Sequence, residues 1–217
     1  MPADLIHLVR HGEVFNPTGV LYGRLPEFHL SERGREMAAM AAQSLAGRPI
    51  ERITASPLAR TRESAQPWVE LFHHELHIDE RLIEPTNTFE GTNIRRALKR
   101  NPLLLRRLIN PWKPSWGESY VSIQARMMDA VASAHMSVAR GEVVLVSHQL
   151  PIWMVARTVQ GKPLATDPRH RRCSLSSITT VAWDPAAGPD GTGAFAEVDY
   201  QEPAAALLAE SIDLGAV

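Results

Sequence analysis

The sequence predicts an α/β fold, a three-layer sandwich whose central, mostly parallel sheet is flanked by helices. Two observations carry that expectation. Strand-like and helix-like segments alternate along the chain from residue 5 onward, and strands joined through helical crossovers pair in parallel with helices covering both faces. The two clearest apolar runs, "LIHLVRH" and "EVVLVSH", each end in a histidine, which puts titratable groups at the sheet rim where open α/β sheets bind ligands.

Taken in order, Leu5, Ile6, Leu8 and Val9 make a buried first strand that ends abruptly in Arg10, His11 and Gly12. The Gly- and Pro-rich loop "NPTGVLYGRLPEFH" follows, and Ser31 caps a helix over "ERGREMAAMAAQSLAG" that stops at Gly47. "ERITAS" reads as a second strand. "ARTRESAQPWVELF" reads as a helix in which Pro67 should introduce a kink. "ELHID" is a candidate third strand. Residues 93–109 are helical in pattern but interrupted by Pro102, and a long amphipathic helix runs through "ESYVSIQARMMDAVASAHMSVARG" to Gly141. The strand "EVVLVSH" then leads into the helix "PIWMVARTVQG", with proline in its first turn. "SSITTVAWD" and "AFAEVDY" form a closing hairpin, an antiparallel edge on the sheet. The Ala-rich residues 201–217 read as a short helix and a loose tail.

A chain of 217 residues, 44% hydrophobic and 22% charged, suits one soluble domain spanning 1–217. Its net charge of −1 gives no field that would favour nucleic acid or an anionic membrane. Cys173 is the one cysteine, so an internal disulfide and a thiolate zinc cluster are excluded. The first apolar run is only about five residues long, too short for a signal peptide or a membrane span. A cytoplasmic protein is expected.

His11 and His148 end strands that should lie on one rim. "ASPLARTRESA" adds Arg60 near a helix N-terminus, where the backbone attracts anions and a guanidinium fork suits phosphate oxygens. "RLIEPTNTFEG" supplies Glu84 and Glu90 in a polar loop.

With "RHGE", "SPLARTRESA", "GES" and "VSH" in that order, spread over residues 5–160, the chain resembles the histidine phosphatase superfamily, which includes the cofactor-dependent phosphoglycerate mutases. The resemblance implies that His11 is the nucleophile that becomes a phosphohistidine. It makes Arg10, Arg60 and His148 the ligands of the phosphoryl oxygens, and Glu84 the acid and base. Asn16 and Gly23 match lesser positions of the pattern, and Asn16 is assigned to the phosphate pocket. Independently of the family, phosphoryl transfer asks mainly for positioning and positive charge, and Gly12 lets the backbone approach a phosphate closely.

The chain departs from the family pattern at two places. Glu84 sits one residue nearer the Glu90-Gly91 pair than the family's acid and is followed by Pro85, so Glu90 is its rival. Gln149 replaces a frequent glycine and is a candidate substrate contact. Arg95 and Arg96 head a basic stretch in a lid candidate over residues 93–117, with a solvated helix face as the plain alternative. His73, His74 and His77 lack a metalloprotease spacing and read as a solvated helix end, so no metal site is assigned.

The expected activity is metal-free phosphomonoester hydrolysis, with phosphoglycerate mutase as the alternative and a non-catalytic phospholigand sensor as a third reading. "PTNTFEG" lacks the Glu-Arg-His-Tyr-Gly typical of the mutases. No cofactor is implied unless the chain is a mutase, which would use 2,3-bisphosphoglycerate. The expected partner is a small phosphorylated substrate, with a homodimer left open and neither nucleic acid nor membrane implied.

Overall fold

A computed structural model describes residues 2–93, 117–165, 171–188 and 192–213. Strand β1 (Leu5–Arg10) is followed by helix α1 (Glu32–Ser44), β2 (Ile50–Ala55), α2 (Ala59–Phe72) and β3 (Leu76–Ile78). A 3-10 turn (Glu80–Leu82) leads onward, and the second half holds α3 (Tyr120–His135), β4 (Glu142–Ser147), α4 (Gln149–Val159), β5 (Ile178–Asp184), β6 (Ala194–Gln201) and α5 (Ala205–Leu208). The sheet order is β3-β2-β4-β1-β5-β6. The first four strands are parallel, and β5 and β6 add the antiparallel edge that the hairpin pattern predicts.

The period-2 alternation of the central strands builds the three layers. Ile6 and Leu8 of β1, with Val143 and Leu145 of β4, pack against Ile123 and Met127 of α3 and Ile152 and Met154 of α4. Val9, Val144 and Val146 face the other way, onto Ala41 of α1 and Ala65 and Trp68 of α2. Every residue of β4 is buried, as expected of a central strand covered on both faces.

Several local expectations meet the structure directly. Ser31 accepts the Gly34 N–H as the N-cap of α1, and α2 continues through Pro67 as one helix. Two boundaries differ. α3 ends at His135 rather than running to Gly141, because its last carbonyls are diverted. Ala3 N–H takes the His135 carbonyl at 2.8 Å, and the Ser137 hydroxyl takes that of Ala134 at 2.7 Å. The tail beyond α5 is tied down rather than loose through residue 213. Arg33 holds Glu210, Glu13 Oε2 accepts the Ile212 N–H at 2.7 Å, and Asp213 reaches Arg10. The basic stretch at 95–107, with its lid candidate and Arg95 and Arg96, lies outside the described residues.

Candidate active site

The register of β1 on β4 pairs Arg10 with Ser147, so the residues that follow each strand, His11 and His148, emerge side by side. The His11 N–H extends the ladder to the Ser147 carbonyl at 3.1 Å. Both imidazoles are buried, with ring centroids 5.2 Å apart and planes at 65°. His11 Nδ1 lies 2.8 Å from the Gly12 carbonyl, which can only accept, so this nitrogen carries the proton and Nε2 keeps its lone pair. Burial first, then the Arg60 and Arg10 guanidiniums, hold the His11 imidazole well below its ordinary pKa.

Gly12 is required by a backbone crossing. A Cβ there would lie 2.2 Å from the Gly34 carbonyl oxygen, and the Gly12 N–H donates to Ser64 Oγ at 3.1 Å. Gly12→Ala must therefore push α1 off the strand end. It should destabilise the fold by about 1–3 kcal/mol, the usual range for overpacking, as chemical denaturation would measure.

Arg60, the second residue of α2, points back over the rim and is fully buried. Its Nη2 donates to the Gly23 carbonyl at 2.6 Å and reaches His148 Nδ1 at 3.3 Å. The Tyr22 ring covers its Cζ at 4.7 Å, a cation–π contact. The neighbouring Arg62 is exposed, in line with its reading as a solvent-facing residue. Since a guanidinium only donates, His148 Nδ1 accepts, and its Nε2–H is directed at Ser56 Oγ, 2.8 Å away. Burial, Arg60 and His11 lower the His148 pKa well below its ordinary value.

Arg10 is also fully buried. Its Nη1 donates to the Cys173 carbonyl at 2.7 Å and to Asp213 Oδ2 at 2.9 Å, and its Nη2 to Asp213 Oδ1 at 2.6 Å. Arg10 Nε, Arg60 Nε and Nη1, and Glu84 Oε1 are buried without a hydrogen-bond partner among the described residues. Three buried guanidinium nitrogens with N–H groups still to donate, on two arginines whose charges both act on His11 and His148, suit an oxyanion whose oxygens accept from the cations.

The 3-10 turn brings Glu84 to this spot. The Ser147 hydroxyl at the end of β4 donates to the Leu82 carbonyl at 2.7 Å, anchoring the turn against the sheet. Glu84 is 1% exposed, with Oε2 at 3.4 Å from His148 Nδ1. Burial raises its carboxyl to about 7, against the opposing pull of Arg60, Arg10, Arg171 and Arg126.

The rival Glu90 is used differently. Its Oε1 accepts the Arg24 N–H at 3.0 Å and the Asn87 N–H at 3.2 Å, closing the loop in which it sits. That loop presses on Gly23, where φ is +42° and a Cβ would stand 2.3 Å from the same Oε1. Asn16 spans its own turn, with Nδ2 on the Val20 carbonyl at 2.8 Å and Oδ1 on the Val20 N–H at 3.2 Å. Gln149 opens α4 and reaches the Cys173 carbonyl at 3.4 Å, the same oxygen that holds Arg10. The histidines at 73–77 are dispersed: His73 caps α2 with φ +57°, and His74 Nε2 donates to the Ile50 carbonyl at 2.9 Å. Among the described residues, no three His, Cys, Asp or Glu side chains are grouped to hold a metal ion, and no helix is long and apolar enough to cross a membrane.

Sequence reasoning missed Tyr22, Ser56 and Asp213. Ser56 was within reach, since it stands inside the "SPLARTRESA" block. Tyr22 precedes Gly23 in the first loop with no pattern to mark it. Asp213 lies in a tail with no local signal at all.

Comparison with known proteins agrees with this arrangement. A sequence profile of the histidine phosphatase superfamily (branch 1) matches residues 6–188. The uncharacterized protein Rv0525 of Mycobacterium tuberculosis is 46% identical over 94% of this chain and 100% of its own. Phosphoserine phosphatase 1 of Hydrogenobacter thermophilus is 32% identical over 67% of this chain and 71% of its own. Among solved structures, mycobacterial glucosyl-3-phosphoglycerate phosphatase Rv2419c complexed with VO3 is 25% identical. It superposes with a TM-score of 0.73 over 90% of this chain and 98% of its own. Since the matched span runs from β1 to the end of β5 and takes in both histidine-ended strands, the chain belongs to the histidine phosphatase superfamily.

Proposed function

We propose that the chain hydrolyses phosphomonoesters of small metabolites through a phosphohistidine formed on His11, without a metal ion. The observation that carries this reading is the state of His11. It is a neutral imidazole whose Nδ1 proton is committed to the Gly12 carbonyl, enclosed with Arg10, Arg60 and His148. Such a ring offers Nε2 as a nucleophile at neutral pH, and the cations supply the positive charge that phosphoryl transfer requires.

In the first half-reaction, His11 Nε2 bonds to phosphorus as the ester P–O bond breaks. The protonated Glu84 gives its proton to the departing oxygen, which leaves as a neutral alcohol. In the second, the ionised Glu84 takes a proton from water while the water oxygen bonds to phosphorus. The N–P bond then breaks, its electron pair returns to Nε2, and inorganic phosphate departs. Arg10 and Arg60 hold the equatorial oxygens in both steps, while His148 orients Arg60 through the lone pair on its Nδ1 rather than donating to the phosphoryl group. A pKa near 7 suits Glu84 to both roles. Relatives named for phosphoserine and glucosyl-3-phosphoglycerate hydrolysis support a phosphatase. The absence of the mutase pentapeptide after Glu84 argues the same way.

The test is a panel of phosphomonoesters assayed with and without EDTA, beside a mutase assay containing 2,3-bisphosphoglycerate. Phosphate release unaffected by EDTA is the expected result. Loss of activity in EDTA would overturn the metal-free mechanism, and strong mutase turnover with weak hydrolysis would reverse the ranking. Tight phosphate binding with no turnover of either kind would leave a phospholigand sensor.

A further inference from the structure

We infer that Asp213 is a positioning residue for phosphoryl transfer, clamping Arg10 so that one edge of its guanidinium is presented to the phosphoryl oxygens. The inference rests on the phosphatase reading above and adds to it a residue from the far end of the chain.

Arg10 carries five N–H groups. Both protons of Nη1 are used, by the Cys173 carbonyl at 2.7 Å and Asp213 Oδ2 at 2.9 Å. One proton of Nη2 goes to Asp213 Oδ1 at 2.6 Å. The two left over, the second Nη2–H and the Nε–H, lie on the same side edge of the planar group. Nε is buried with no partner among the described residues. That edge is a two-pronged donor matched to two oxygens of a phosphoryl group. Asp213 therefore does not occupy the phosphate-facing edge; it takes the end fork and fixes the plane in which the side edge lies.

The carboxylate is itself held from the loop it serves. Glu13, two residues after His11, accepts the Ile212 N–H at 2.7 Å through Oε2, while its Oε1 accepts from Ser31 at 2.6 Å. Arg33 binds Glu210 at 3.1 Å and stands 4.0 Å from Glu13. Residues 210–213 are thus stapled to the residues next to the nucleophile, and Asp213 reaches Arg10 with its own side chain 40% exposed at the rim. A long buried cation with no counter-ion would also be repelled by Arg60; the Asp213 charge offsets that repulsion and keeps Arg10 in place.

The experiment compares wild type with Asp213→Asn, Asp213→Ala and Glu210→Ala. Binding of inorganic phosphate and of orthovanadate is measured by calorimetry, and kcat and KM on the best ester from the panel. Vanadate adopts the five-coordinate geometry of the transferring phosphoryl group, so a positioning role should show there most. Both Asp213 variants should lose kcat/KM by about 10- to 100-fold, the scale of a small misplacement of a reacting group. Vanadate affinity should fall more than phosphate affinity, at melting temperatures that show a folded protein. Glu210→Ala, which loosens the same tail but spares the carboxylate, should keep kcat/KM within about two-fold, as exposed ion pairs usually do.

Unchanged kinetics and vanadate binding in Asp213→Asn would overturn the inference. So would a gain of activity with tighter phosphate binding, which would make the tail an inhibitory arm. An equal loss in Glu210→Ala would assign the effect to tail docking rather than to the carboxylate. If wild type binds vanadate yet hydrolyses no ester, the phosphatase reading fails while the binding comparison still decides on Asp213. If wild type binds neither anion, the oxyanion reading of the site falls and the inference with it.

Discussion

His11→Ala is expected to abolish phosphomonoester hydrolysis, lowering kcat/KM by about 10⁴-fold or more, the scale seen when a covalent nucleophile is deleted. The size of the effect follows from how much of the site converges on one ring. β1 and β4 deliver it to the rim, the Gly12 carbonyl sets its tautomer, and burial with two guanidiniums keeps it unprotonated. Among the described residues, no second imidazole at this rim has a free nitrogen to substitute. His148 lies 5.2 Å from His11, but its Nδ1 accepts from Arg60 and its Nε2 is turned to Ser56. Wild-type enzyme quenched during turnover should carry an acid-labile phosphoryl group that the variant lacks. The variant should still bind inorganic phosphate through Arg10 and Arg60. Retention of wild-type turnover in His11→Ala would remove the covalent mechanism.

Glu84→Gln is expected to lower kcat by about 10²- to 10⁴-fold on alkyl phosphates, the contribution typical of a general acid. The loss should depend on the leaving group. An aryl phosphate needs little protonation to depart, so its first step should survive while the second, which needs a base, stalls. The expected signature is a burst of phenol followed by slow turnover, with the phosphoenzyme accumulating. The pH profile supplies an independent check. Wild-type kcat/KM on alkyl phosphates should fall as pH rises through about 7, where Glu84 loses its proton, and the Gln variant should lack that limb.

Stability should move with pH as well. The folded-state pKa of Glu84 is raised from 4.5 to about 7, so its contribution to stability is fully present below 4.5 and is lost as pH rises through about 7. Because Gln is neutral throughout, the variant should gain stability relative to wild type between pH 4 and pH 8, on the order of 3 kcal/mol. A Glu90→Gln variant should not show the burst, since the Glu90 carboxylate closes its loop by accepting from the Arg24 and Asn87 N–H groups. The reverse pattern would make Glu90 the acid.

Much of this was legible in the sequence because it is written locally. An apolar run that ends in Arg10-His11-Gly12 has few plain explanations, and a second run ending at His148 repeats the signal. Ser31 capping α1 and Arg60 at the start of α2 obey rules that involve only a few neighbouring residues. What stayed hidden depends on distant packing. Glu84 and Glu90 share one polar loop, and the first is held toward the imidazoles by hydrogen bonds from far along the chain, Ser147 to the Leu82 carbonyl and Arg24 to the Glu84 carbonyl, 65 and 60 residues apart in sequence. The end of α3 is set by Ala3, and the orientation of Arg10 by Asp213, 203 residues away. No periodicity or capping rule reports contacts of that range.

The strand order carries a consequence for how this enzyme comes into being. β1 is made first, yet its neighbours in the sheet are β4 and β5, whose sequences begin at residues 142 and 178. Contacts of such separation are slow to form because a long loop must close before they repay the lost entropy. On the ribosome, His11 waits unpaired until most of the chain has emerged, and fragments ending before β5 leave the nucleophile strand with an open edge. Recovery of activity after dilution from denaturant should therefore coincide with the slowest structural phase, so that turnover reports completion of the whole sheet.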